Sequence, residues 1–132
     1  MERFRMGKSG QGLVEFALVV PLLLFLFFGI VEFGRAWMTR NVMTGAAREA
    51  VRVAVVQTDF PTADNVARTR AGALLNAGGI SGAVISVTQI DTPEPMVEVQ
   101  ISYVFPAIFG GFIPGLNGMS LSTETTMRRE RF

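Results

Sequence analysis

The sequence predicts an α+β fold: a long N-terminal transmembrane helix continues outside the membrane and packs on a small antiparallel three-stranded sheet, with one short extra helix. Three observations predict it. No charged residue occurs over residues 16–31. A helical period then persists to about Val56, and from Ala83 onward the period becomes two. The 132 residues amount to one domain or less. Only 17% of them are charged and the mean hydropathy is +0.39, a composition that points to a membrane segment.

The first element begins after a basic leader, residues 1–10, in which Arg3, Arg5 and Lys8 stand against Glu2. The apolar run covers residues 13–31, broken only by Glu15. At 1.5 Å per residue it is about 29 Å long, close to the roughly 30 Å of a hydrocarbon core. The basic flank precedes the run, so the positive-inside rule puts the N-terminus in the cytoplasm and the rest across the membrane. Arg35 and Arg40 weaken that asymmetry without reversing it. The expected organisation is a cytoplasmic leader (1–10), a transmembrane helix (11–35), its extramembrane continuation (36–57) and a small extracytoplasmic α+β domain (58–132). A cleaved secretory signal is the competing reading, with Gly34-Arg35-Ala36 as the peptidase site and a new terminus at Trp37. The run is longer than the 7–15 residues of a signal core, and Glu15 lies at its start. A carboxylate there can snorkel to the headgroups, whereas a central one would cost about 2.5–3.5 kcal/mol. Pro21 lacks a donor and crowds the carbonyl of Ala17, so a kink or local melting is expected. Glu32 and Arg35, three apart, read as a surface pair in the outer headgroup zone, and Trp37 as an interfacial anchor.

The same helix is expected to run from near Gly12 to near Val56. Met38, Val42, Ala46, Ala50 and Ala54 fall on one side, Asn41, Thr44, Arg48, Glu49 and Arg52 on another. Gly45 and the alanines would let another element approach closely, either this chain's own sheet or a partner helix. Asp59-Phe60-Pro61-Thr62 breaks the helix. A shorter helix follows over residues 62–77, with Leu74 and Leu75 inward, Gly78-Gly79 as the stop, and Arg68 and Arg70 on a solvated face.

Three strands complete the fold. In residues 83–88, Ile85 and Val87 alternate with Ser86 and Thr88. In residues 96–104, Val97, Val99, Ile101 and Tyr103 face one way. In residues 119–127, Met119, Leu121, Thr123, Thr125 and Met127 do so. Asp91-Thr92-Pro93-Glu94-Pro95 is a tight connection between the first two. A sheet with one apolar face must be covered, and the extended first helix is the nearest cover. The connection 105–118 is apolar and aromatic where exposed loops are normally polar. Phe109 and Phe112 either pack on their own domain or contact a partner subunit or the membrane surface. The charged residues 128–131 read as a solvated tail.

Little chemistry is available. Without Cys or His there are no disulfides, zinc sites, thiol chemistry, Ser-His-Asp triad or histidine catalysis. A formal charge of +1 supplies no basic face for nucleic acid. Gly79-Ile80-Ser81-Gly82 is not a nucleophile elbow, no phosphate loop occurs, and the carboxylates lack calcium-loop spacing. A turn and an exposed strand face explain Asp91, Glu94 and Glu98 more simply than acid–base catalysis. No catalytic residue, cofactor, metal or small-molecule substrate is expected.

The segment Lys8-Ser9-Gly10-Gln11-Gly12-Leu13-Val14-Glu15-Phe16 resembles the processing site of type IV pilins and pseudopilins: a basic leader, a Gly, four residues, a Glu and an apolar helix. The blocks 12–24 (Gly-Leu-Val-Glu-Phe-Ala-Leu-Val-Val-Pro-Leu-Leu-Leu), 29–35 (Gly-Ile-Val-Glu-Phe-Gly-Arg) and 46–52 (Ala-Ala-Arg-Glu-Ala-Val-Arg) resemble the TadE/TadG-like family, pseudopilin-like proteins of the Tad (Flp) pilus system. The resemblance is dense over residues 10–56 and general in layout beyond. It implies a pilin-like fold and a non-enzymatic minor pseudopilin or assembly component of a bacterial Tad-type pilus, held in the inner membrane. It further implies that a prepilin peptidase cuts between Gly10 and Gln11, that Glu15, followed by Phe16, sets register between subunits in the membrane, and that the partners are lipid, other pilin subunits and the Tad inner-membrane assembly platform. A physical reason agrees: a carboxylate in a low-dielectric helix bundle needs a partner, and a new α-amino group on an adjacent chain supplies one. The alternative is an envelope domain, permanently anchored, that docks a partner through its sheet or the Phe109 loop without entering a filament.

Overall fold

The computed structural model describes residues 8–91, 93–111 and 118–129. The order is α1 (Lys8–Ala54), α2 (Phe60–Ala77), β1 (Val84–Asp91), β2 (Pro95–Val104) and β3 (Ser120–Arg128). The α+β class and the helix–helix–three-strand order are those read from the sequence. The boundaries shift slightly: α1 starts four residues before Gly12 and β1 runs three residues past Thr88.

α1 is a single helix of 47 residues, about 70 Å long. It continues through Pro21. Its two halves meet different surroundings. The first is exposed and apolar, with an 18-residue window of mean hydropathy 2.7, long and apolar enough to cross a membrane, of which no residue is buried. In the second half Met43, Ala46, Ala47, Ala50, Val51 and Ala54 are all buried. Their spacing of three and four residues makes one stripe, the pattern of a helix with one packed face. Met38, expected on that face, is exposed, because the stripe is set by Met43, Ala47 and Val51 rather than by a strict four-residue row.

α2 lays Ala63, Ala67, Ala71 and Leu75 against α1 and β1. Small residues on both helices let the backbones approach closely. At Gly78, which caps α2, a Cβ would lie 2.5 Å from Val42 Cγ1. The stripe of alanines is thus satisfied within the chain. Asp59 starts α2: its carboxylate accepts the Thr62 N–H at 2.8 Å, and Pro61 occupies a first-turn position where no amide donor is needed. Arg68 and Arg70 are more than a solvated face. Arg70 pairs with Glu49 of α1 at 3.2 Å, and Arg68 binds Asp64 at 2.7 Å while donating to the Ile85 carbonyl of β1.

The sheet is an antiparallel meander in the order β1-β2-β3. Val87 opposes Val99, which opposes Thr125; Ile85 opposes Ile101, which opposes Thr123. The face carrying Val97, Val99 and Ile101 is buried under the two helices, as the two-residue period requires. A Thr44–Thr123 hydroxyl contact of 3.3 Å joins α1 to β3. At the far end Arg129 donates to the Gln57 carbonyl at 2.6 Å, closing the sheet onto the link between the helices.

Candidate functional site

The features that could carry function lie along α1, and the central one is where the connection between β2 and β3 folds back onto it. Phe105 is buried and its N–H bonds the Met119 carbonyl at 2.9 Å, which closes the mouth of the connection. From there residues 106–111 run toward the apolar half of α1. The Phe109 ring stacks on Phe28, with centroids 4.3 Å apart and planes 16° apart.

Glu32 holds this loop. Its side chain is 2% exposed. One carboxylate oxygen accepts the Ile108 N–H at 2.7 Å and the other accepts from Arg35 Nη1 at 2.9 Å. Arg35 also makes a long contact, 3.5 Å, to the Pro106 carbonyl and lies 5.1 Å from the centre of the Phe105 ring. A buried carboxylate is tolerable only when its charge is paired and its lone pairs are used, and both conditions are met here. The Glu32–Arg35 pair read from the sequence therefore forms, but as a loop clamp with its acid buried rather than as a surface pair. Its loop partner was missed at the sequence level. A signal for its burial, though not for that partner, was present: stepping back along α1 from Met43 by three and four residues reaches Thr39, Ala36 and Glu32, so the acid continues the packed stripe.

Beside the clamp an open apolar groove of about 470 Å³ runs along α1 from Gly29 to Arg40, walled on the other side by Phe105, Met119 and Leu121. Phe33 and Trp37, with centroids 6.2 Å apart, form its exposed aromatic rim.

The other sequence-predicted positions stand apart from this cluster. Gly10 and Gln11 are exposed and lie in the first turn of α1. Glu15 is exposed and accepts from Gln11 Nε2 at 3.1 Å, one turn back. Phe16 is exposed beside it. Phe112 falls outside the described residues. Among the described residues no group of three His, Cys, Asp or Glu side chains converges as a metal site.

Residues 10–52 match a family model described as TadE-like protein, the family that the sequence resembles. The match takes in the exposed apolar half of α1, Glu15, the Glu32–Arg35 pair and most of the packed stripe. No curated protein and no solved structure matches the chain.

Proposed function

We propose that the chain is a non-enzymatic TadE-like minor pseudopilin or assembly component of a bacterial Tad-type pilus, type IVb-like, anchored by the first half of α1. In this reading residues 11–35 cross the inner membrane, the N-terminus is cytoplasmic and the small α+β domain is extracytoplasmic. The observation that carries it is α1 itself: one unbroken helix with an 18-residue apolar window of which no residue is buried, and the packed spine of the domain beyond. The TadE-like match over residues 10–52 covers that helix from the candidate cleavage point almost to its end.

A prepilin peptidase would cut between Gly10 and Gln11. Both are exposed near the helix start, where few backbone hydrogen bonds oppose the unwinding a protease needs. Glu15 would then set register against a neighbouring subunit, its exposed carboxylate accepting from the side chain of Gln11. The partners are lipid, other pilin subunits and the Tad assembly platform. The test is intact mass and N-terminal sequencing of the chain from membranes and from sheared surface filaments. A chain starting at Gln11 in the filament fraction is expected. Full-length chain confined to membranes would overturn the filament-subunit reading.

One observation favours the second reading, a permanently anchored scaffold. The loop carrying Phe109 occupies the Phe28–Glu32 face of α1, which a neighbouring helix in a filament would otherwise pack against. That reading requires Gly10 to remain uncut and Glu15→Ala to be tolerated.

A further inference from the structure

The depth at which the loop sits on α1 carries a consequence that rests on the membrane-spanning reading of that helix. Phe28 lies within the uncharged run 16–31, three residues before its end. Phe109, stacked on it at 4.3 Å, must lie at the same level. Ile108, beside it, is 65% exposed, so an apolar side chain points away from the protein at the boundary of the hydrocarbon zone.

Irregular backbone cannot enter that zone unless the protein satisfies its polar groups, because lipid offers no donors or acceptors. The clamp does so. Glu32 takes the Ile108 N–H and Arg35 reaches the Pro106 carbonyl, while Arg35 neutralises the acid that performs the task. A loop destined for water would not need a buried carboxylate to solvate one amide. The aromatic rim of Phe33 and Trp37, a turn further from the run, is what the interfacial layer selects.

We infer that residues 105–111 are set into the membrane leaflet on the domain's side, with Ile108 in contact with lipid. The loop is then a second, monotopic attachment, held at its depth by Glu32 and Arg35. Two attachment points fix the rotation of the domain about the α1 axis, which one helix alone leaves free.

The chain has no cysteine, so single labels can be placed cleanly. The full chain, carrying Ile108→Cys, Leu22→Cys or Thr88→Cys and an environment-sensitive fluorophore, is reconstituted in phosphatidylcholine vesicles containing lipids with quenchers at headgroup or mid-chain depth. Leu22 is exposed within the apolar run and Thr88 is exposed on the outer face of the sheet. The expected result is that the Ile108 label is quenched by the headgroup-proximal quencher, the Leu22 label by the mid-chain one and the Thr88 label by neither. Adding Glu32→Ala should drop the Ile108 signal to the Thr88 level and leave Leu22 unchanged. A quenched Leu22 label with Ile108 as unquenched as Thr88 overturns the loop insertion and leaves the spanning helix standing. An unquenched Leu22 label overturns the spanning helix and the insertion together. Ile108 quenching that persists in Glu32→Ala overturns the role given to the clamp.

Discussion

A carboxylate at the margin of an apolar helix can reach for water, or it can be enclosed and put to use. At Glu32 enclosure has won: Arg35 supplies the charge and the Ile108 amide supplies a second hydrogen bond. Hydrogen bonds to charged groups contribute about 1.5–3 kcal/mol each to stability, and leaving a buried partner unsatisfied costs a comparable amount. Glu32→Ala should therefore lower unfolding stability by about 1–3 kcal/mol, measured by urea unfolding in detergent micelles. The single Trp37, little more than a turn away on the groove rim, is the fluorescent reporter. Glu32→Gln keeps an acceptor for the amide and should lose clearly less. If the two variants were equally stable, the hydrogen bond to Ile108 would not be what holds the loop. The Glu32–Arg35 pairing was legible from a three-residue spacing on a helix. Its loop partner was not, because Ile108 is 76 residues distant and no local pattern encodes which amide a carboxylate meets.

At the scale of elements, α1 and α2 pack through small residues, and glycine substitutions along α2 should take opposite signs. Gly72 lies inside α2 with nothing within 4 Å of a new Cβ, so Gly72→Ala should stabilise by up to about 1 kcal/mol through helix propensity alone. Gly78→Ala would set a Cβ against both methyls of Val42, at 2.5 and 3.3 Å, which no single rotation clears. Overpacking of this kind costs about 1–3 kcal/mol, and thermal melts of the two variants should move in opposite directions. The start of α2 depends on pH. Hydrogen bonding from Thr62, side chain first and backbone N–H second, holds the Asp59 carboxyl below the usual carboxylate range, with Arg129 adding to the effect. A depressed folded-state value stabilises the helix above the unfolded pKa of about 3.9, and that contribution is lost as pH falls through the folded value. The melting temperature of wild type should thus fall toward that of Asp59→Ala on acidification, and the two should stay parallel if the cap is inert. The helix break at residues 59–62 and the two-residue alternation of the strands were readable because each is local chemistry. Met38 was misplaced because a four-residue row drifts around a 3.6-residue helix, and only packing against α2 and the sheet fixes which neighbouring row is buried.

For the whole molecule, the contrast along α1 separates an exposed apolar half from a packed one. The buried cluster begins at Met43 and draws on α2, β1 and β2, with Leu121 of β3 packed against it, while the apolar window nearer the N-terminus has no buried residue. The exposed half therefore contributes nothing to that core, and its apolar surface needs lipid or a partner helix. A chain beginning at Trp37 should then fold in water without detergent and keep slow amide exchange at Val97, Val99 and Ile101, whose side chains are fully buried. The same truncation removes Phe28, Glu32 and Arg35, the residues that hold the loop. Its amides from Ala107 to Gly111 should exchange faster than in the full chain in micelles, with the strands unchanged. Hydrogen exchange read by NMR checks both at once. Protected strands with a fast loop would mean that the domain is self-sufficient and that α1 positions the loop. Uniformly fast exchange would mean that residues 8–36 are part of the folding unit, and that the division of α1 into anchor and spine fails.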